Sequence, residues 1–230
     1  MISVLVPTRN RPQNVRRLVD SALETAETDV EFVFYVDEDD DSAVDVIRSY
    51  EQTQIVSGPR VVLSETWNEC WTYARHDVGM HCGDDIVFRT SGWDTRVLEV
   101  FDQYPDKIVF VHGRDGYQDR RVGTHGFLHQ NWVDAVGYFV PPYFSSDYND
   151  LWITEVADVL GRRVYLADVY TEHMHPVIGK GEWDQTHRER VARHRRDGVD
   201  RTYRRHAPTR LVDAGKLRAV IERFQTEHES

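Results

Sequence analysis

The chain reads as an α/β fold, with a mixed, mostly parallel sheet flanked by helices, a smaller second half and a helical C-terminal tail. Three observations predict it. Apolar runs of strand length alternate with segments of helical periodicity up to Phe88, as in a doubly wound, Rossmann-like half. The strands of that half end in polar clusters, at the sheet edge where open α/β proteins bind their ligands. The character of the chain then changes twice, after Phe88 and again after residue 182.

Ile2 to Val6 is an almost unbroken aliphatic run, the pattern of a strand covered on both faces. It stops at Pro7, and Thr8-Arg9-Asn10-Arg11 follows as a polar loop. Pro12 suits a first helical position, and Val15, Leu18, Val19, Ala22 and Leu23 carry a helix to about Thr25. Glu31 to Val36 is the next parallel strand; it ends in Asp37-Glu38-Asp39-Asp40-Asp41, of which Asp41 or Ser42 caps a helix through Tyr50. Arg60 to Leu63 reads as a short strand. Ser64 reads as the cap of a helix from Glu65 to His76, whose Trp67, Cys70, Trp71 and Ala74 suit a core better than a stacking platform. Val78 to Cys82 is the strand that delivers Gly83-Asp84-Asp85.

Ser91-Gly92-Trp93 opens a helix through Phe101, and Lys107 to His112 is a strand. Gly113 to His125, rich in Gly, Arg and Asp, reads as an exposed, mobile loop. Phe127 to His129 is a short strand and Trp132 to Val136 a helical turn; a helix from Asp147 to Leu160 is stopped by Gly161. Arg163 to Ala167 and Val169 to His175 read as two strands, with His173 and His175 on one face of the second. Helices from Trp183 to about Arg196 and from Leu211 to Glu227 complete the chain.

With 230 residues and 40% hydrophobic content the chain can bury a real core. A net charge of -11 disfavours a protein that coats nucleic acid over its whole surface. Cys70 and Cys82 form neither a disulfide framework nor a zinc spacing, which points to a reducing compartment. There is no charged leader with an apolar segment behind it, and no run approaching the ~18 apolar residues of a membrane span. The expectation is a cytoplasmic protein without integral membrane association.

Chemistry centres on Asp84 and Asp85. Adjacent buried carboxylates raise each other's pKa unless a cation relieves them, and a hard divalent ion with oxygen ligands is the usual remedy. Gly-Asp-Asp is also good turn chemistry, so a solvated turn is the competing reading. Thr8, Arg9 and Asp37 join the pair on the sheet's functional edge. No Gly-x-Gly-x-x-Gly and no Gly-Lys-Ser/Thr occurs, so a nucleotide diphosphate held through Mg2+ or Mn2+ remains.

Ile2-Ser3-Val4-Leu5-Val6-Pro7-Thr8-Arg9-Asn10-Arg11, a strand ending in Asp37, a helix bearing Asn68, and Gly83-Asp84-Asp85 occur in the order found in GT-A fold glycosyltransferases. The chain resembles their family-2-like group from Ile2 to about His175. The resemblance implies a GT-A domain over residues 1–182, with a nucleotide-sugar half (1–90) and an acceptor half (91–182), followed by a basic helical extension (183–230). Pro7, Thr8, Arg9, Asp37, Arg60, Asn68 and Asp84 would contact the nucleotide, and Asp85 would bind Mn2+ or Mg2+. Gly83 stands where many members carry an acid. A histidine after a later strand, His173 or His175, would complete the metal site. Asp147 or Asp150 would act as general base, although a carboxylate at a helix start can be only a cap. The implied reaction moves a sugar from a nucleotide sugar, a UDP-sugar first, to an acceptor hydroxyl with inversion.

The arginines between Arg188 and Arg210 fit a polyanionic acceptor such as hydroxymethylated DNA, or a phosphate-bearing glycan, polymer or lipid head; a solvated, salt-bridged helix face is the competing reading. Two other functions compete. A nucleotidyltransferase would carry a glycine-rich basic loop after its first strand, which Pro7-Thr8-Arg9-Asn10 is not. A non-catalytic nucleotide-sugar binding module would need Asp37 but neither Asp85 nor a base.

Overall fold

A computed structural model describes residues 1–228. Its strands are β1 (Ile2–Thr8), β2 (Val30–Asp37), β3 (Thr53–Gly58), β4 (Val78–His81), β5 (Ile86–Phe88), β6 (Phe110–Arg114), β7 (Gly126–His129) and β8 (Arg163–His173). They form one sheet in the order β3-β2-β1-β4-β7-β6-β8-β5. The β3-β2-β1-β4 half is parallel, as is β6 with β8, while β7 and β5 run antiparallel to their neighbours. The helices are α1 (Pro12–Thr25), α2 (Val44–Arg48), α3 (Leu63–Tyr73), α4 (Trp93–Asp102), α5 (Gln130–Val136), α6 (Asn149–Leu160), α7 (Gln185–Asp197), α8 (Val199–Arg205) and α9 (Ala207–His228). Among the described residues no helix is long and apolar enough to cross a membrane.

Strand alternation sorts the aliphatic residues of β1 to two cores. Ile2, Val4 and Val6 pack with α1 and with Trp93, Val97 and Phe101 of α4; Leu5 faces the other side with Trp67 and Cys70 of α3. On that second side Trp152 of α6 and Trp132 of α5 meet Leu217 and Ile221 of α9, so the terminal helix covers the sheet rather than trailing from it. Every residue of β2 is buried, which is why its sequence is continuous rather than alternating.

Several sequence readings are corrected. The third strand is Thr53–Gly58, and Arg60 to Leu63 is not a strand; Leu63 already begins α3, with Val62 as its N-cap. Ser64 sits inside the first turn, its hydroxyl bridging the Phe144 carbonyl (2.6 Å) and Asn149 Oδ1 (3.0 Å). Neither Asp41 nor Ser42 caps α2; Asp40 instead accepts from the Ser42 N-H (3.0 Å) and from the Asn10 N-H (2.6 Å), tying two edge loops together. The two late strands are one, β8, with a register shift against β6 at Gly113/Arg114. Gly113 admits the Val169 carbonyl there: a Cβ would lie 2.5 Å from that oxygen. The stretch from Gly113 to His125 is not an open loop. Asp115 is buried and one carboxylate oxygen accepts from the N-H groups of Tyr117, Gln118 and Asp119.

Candidate active site

The acid pair occupies a crossing between two parts of the sheet. After β4, the Cys82 N-H still donates to the Leu5 carbonyl (3.1 Å), and the chain then leaves β1 to pair as β5 with β8, Ile86 opposite His173. Asp84 and Asp85 are the link, and both are buried. Gly83 makes room for this: a Cβ at that position would lie 2.7 Å from Asp85 Oδ1.

Each acid is relieved differently. Thr8 Oγ1 donates to Asp84 Oδ2 (2.9 Å) and Arg11 Nη1 to Asp84 Oδ1 (2.8 Å), so both Asp84 oxygens are occupied from the end of β1 and the loop after it. Burial, opposed by Arg11 and reinforced by Asp85, raises the Asp84 carboxyl. Asp85 faces imidazoles: His173 Nε2 lies 3.4 Å and His187 Nε2 3.8 Å from its Oδ2. Burial works against ionisation of Asp85, but these two side chains outweigh it and hold the carboxyl well below its usual range. His173 lies between Asp85 and Asp115, whose Oδ2 is 3.6 Å from Nδ1. Burial lowers the His173 pKa, yet the two carboxylates carry it up to about 9. His125 and His175 are held neutral, chiefly by burial and by the neighbouring His173 charge, His175 with a pKa of about 4.

These groups open on a cavity of about 270 Å3. Pro7, Thr8, Arg9, Asp37 and Arg60 line it together with Asp84, Asp85, His173, His175 and Asp147. Arg9 binds Asp37 (2.6 Å) and Asp39 (2.7 Å), and Arg60 Nε lies 4.0 Å from Asp37. Trp67 lines the cavity too, although its indole N-H is spent on the Leu5 and Cys82 carbonyls (3.2 Å each).

Two predicted site residues lie outside the cavity lining. Asn68 uses its whole carboxamide on the chain after α5: Oδ1 accepts from the Phe139 and Val140 N-H groups (2.8 and 3.0 Å), and Nδ2 donates to the Val140 carbonyl (2.9 Å). It clamps the chain after α5 and does not line the cavity. Asp150 sits in the first turn of α6, with one oxygen 2.8 Å from the Leu151 N-H; burial pushes its carboxyl up to about 6. Tyr148, the N-cap of α6, has φ 78 and turns the chain sharply between Asp147 and Asp150. Asp147 is not a helix cap: Arg190 and His194 (2.6 Å) bind its two oxygens. His175 lies beyond the end of β8, so strand alternation does not govern it. Its ring is nonetheless 5.0 Å from that of His173, while Nδ1 accepts from the Val177 N-H (3.2 Å) to cap a short 3-10 turn.

Sequence reasoning missed what α7 and its lead-in contribute. Asp184 caps α7 through the His187 N-H (2.9 Å) and takes the Arg11 guanidinium in a two-pronged pair (2.6 and 2.8 Å). Thr186 Oγ1 donates to the Arg9 carbonyl (3.3 Å), Glu189 binds Arg60, and Arg190 binds Asp147. The available signal was the mixed character of this tract: Asp184 stands three residues before His187, ahead of a run of arginines, which reads as a cap and not as a partner of a loop 173 positions away.

The model of the Glycosyl transferase family 2 matches residues 3–173. A search of the curated proteins finds no match. Among solved structures, the mannosyltransferase PcManGT of Pyrobaculum calidifontis, in complex with GDP-Man and Mn2+, superposes with a TM-score of 0.65 at 14% identity, over 95% of this chain and 73% of that one. S. aureus TarS 1–349 in complex with UDP gives a TM-score of 0.60 at 14% identity, over 74% of this chain and 60% of that one. The same fragment with UDP-GlcNAc gives 0.60 at 13%, over 76% and 59%. The chain thus spans less than two thirds of those TarS fragments. With its sheet of GT-A type and a family match over most of its length, the chain belongs to glycosyl transferase family 2 and is a glycosyltransferase.

Proposed function

We propose that the cavity binds a nucleoside diphosphate sugar with a divalent cation, and that the sugar passes to an acceptor hydroxyl with inversion. The observation that carries this reading is the shared cavity of the β1 loop and Asp37 with Asp85 and His173. Family membership supports the reaction class, and the donors and Mn2+ named for the similar structures support the donor class and the ion.

The residues fit a cation. Asp85 Oδ2 and His173 Nε2 converge on one point, 3.4 Å apart, while Asp115 lies 3.6 Å from Nδ1 and can orient the ring. Among the described residues no group of three or more His, Cys, Asp or Glu side chains could hold an ion alone. Mg2+ and Mn2+ commonly take their other ligands from substrate phosphates and water. When bound, the ion would stabilise negative charge on the departing diphosphate. Asp84, bound by Thr8 and Arg11, ties the end of β1 to the acid pair and would meet the ribose. Arg9, Asp37 and Arg60 bound the nucleobase end.

Of the two candidate bases only Asp147 lines the cavity. Asp150, at the start of α6 behind it, has the charge state suited to a base and is favoured on that ground. Asp147 is neutralised by Arg190 and His194, and these outweigh burial to hold it below its ordinary range. Asp150 has no ion pair among the described residues and a pKa of about 6, suited to accepting a proton near neutrality. Asp147 then orients the wall beside it through Arg190.

Calorimetric titration with UDP and GDP, with and without Mn2+, tests the reading. Binding that needs the ion and is lost in Asp85→Ala is expected. Equal affinity without the ion, unchanged in Asp85→Ala, would favour a non-catalytic binding module.

A further inference from the structure

The arginines of α7 are unequal. Arg190 is committed to Asp147, and Arg196 to Asp197 (2.7 Å). Arg193 is half-buried, lines the site cavity, and has no hydrogen bond or ion pair among the described residues. The acids whose charge it senses, Glu189 and Asp197, are already bound to Arg60 and Arg196. Burial, with Arg60 nearby, depresses its pKa, the signature of a guanidinium that lacks its counter-charge.

Further buried polar atoms on the same cavity lack hydrogen-bond partners among the described residues, two of them donors close to Asp147 in the chain or bound to it. Ser146 is 1% exposed and its hydroxyl is unpartnered, as is the buried Nε of Arg190. Buried polar groups are ordinarily satisfied, so unfilled donors on one wall call for a ligand that brings oxygens. The wall also continues past Arg193 into a neighbouring groove of about 720 Å3, lined by Arg60, Arg193 and Arg196 against Glu65 and Glu189.

Position decides which ligand this is. His187 touches Asp85, Arg190 touches Asp147, and Arg193 follows on the same helix. At ~1.5 Å per residue, Arg193 lies about 9 Å along α7 from His187 and about one turn past the Asp147 contact. The metal-held diphosphate belongs at the Asp85 end; Arg193 lies one turn past the Arg190 that binds Asp147 and shares its groove with Arg60, so an anion held there is separate from the diphosphate and next to Asp147.

We infer that Ser146, Arg190 and Arg193 form an anion subsite for the acceptor, which carries a phosphate ester close to the hydroxyl that receives the sugar. This rests on the transferase reading above. Arginine forks suit phosphate oxygens, and the Asp147 carboxylate does not oppose the ligand because Arg190 and His194 already neutralise it.

The test is calorimetric titration of the full chain, saturated with UDP and Mn2+, with glycerol 3-phosphate and with glycerol as the uncharged counterpart. Glycerol 3-phosphate should bind and glycerol should not. Arg193→Gln should weaken the phosphate ester about tenfold or more while leaving UDP affinity unchanged, and Arg193→Lys should retain part of it. No binding to the UDP-saturated protein, binding indifferent to Arg193→Gln, or UDP affinity falling in step with the ester would each overturn the subsite. If UDP and GDP themselves do not bind with Mn2+, it is the donor reading that fails; the same titration on the free protein, read by its dependence on Arg193, then still decides the subsite.

Discussion

Buried carboxylates set the behaviour of this chain residue by residue, because each must find donors or lose its charge. Asp150 has few, and its pKa of about 6 fixes a pH dependence: a base works deprotonated, so turnover should rise as pH increases through about 6 and level off above it. Asp150→Asn should lower turnover by roughly two to four orders of magnitude with nucleotide binding unchanged, measured by steady-state kinetics and calorimetry. Glu31 is the opposite case. Burial resists its ionisation, but Ser3 Oγ (2.5 Å), the Arg75 N-H (2.5 Å) and the Arg75 guanidinium outweigh it, so its carboxyl titrates below the usual range. The stability it contributes is present above the unfolded-state value of about 4.3 and is lost as pH falls through the lower folded value. Glu31→Gln should cost about 1–3 kcal/mol in urea unfolding at pH 7 and flatten the acid limb of the stability curve. The positions of Asp37, Asp84 and Asp85 were legible because each lies at or shortly after a strand end, and strand ends converge on one edge. Arg11 was not: a loop arginine carries no mark of the carboxylates that will bury it, and one of these lies 173 residues downstream.

Among elements, α7 stands apart. Of its residues only His187 is buried, so the hydrophobic packing that holds most helices is nearly absent, and its attachment is ionic, through Asp184, Glu189, Arg190 and His194. Asp184→Ala removes both the cap and the Arg11 bridge; a lost cap alone is worth about 0.5–2 kcal/mol. Faster amide exchange over residues 185–197 is expected, with the rest of the sheet unaffected, and slow exchange there would show that the remaining ion pairs suffice. The sequence was read correctly where periodicity was strong, as in α1 and β1, and wrongly where a local irregularity mimicked a boundary. Asp168 looked like the break between two strands; it lies in the irregular stretch of β8 between Leu166, opposite Gly113, and Tyr170, opposite Arg114. Ser64 looked like a cap because its residue type favours caps, but burial gave its hydroxyl a tertiary partner instead.

For the whole molecule, the second core depends on the C-terminal helix. Leu217 is fully buried among residues of α5, α6 and α9, and Leu217→Ala should cost about 2–5 kcal/mol, read as a lower Tm in calorimetry. The fold class was legible because alternating strands and helices leave few arrangements; the closure of the site by α7 was not, because nothing local dictates where a polar helix lands. The split relief of the acid pair also has a consequence for biosynthesis. Asp84 finds its partners Thr8 and Arg11 in chain made before it, whereas Asp85 must wait for His173 and His187. A nascent chain halted before β8 therefore holds one acid settled and the other bare, with β5 lacking the strand it pairs with. Capacity to capture a donor should emerge only once translation has passed the last of those histidines.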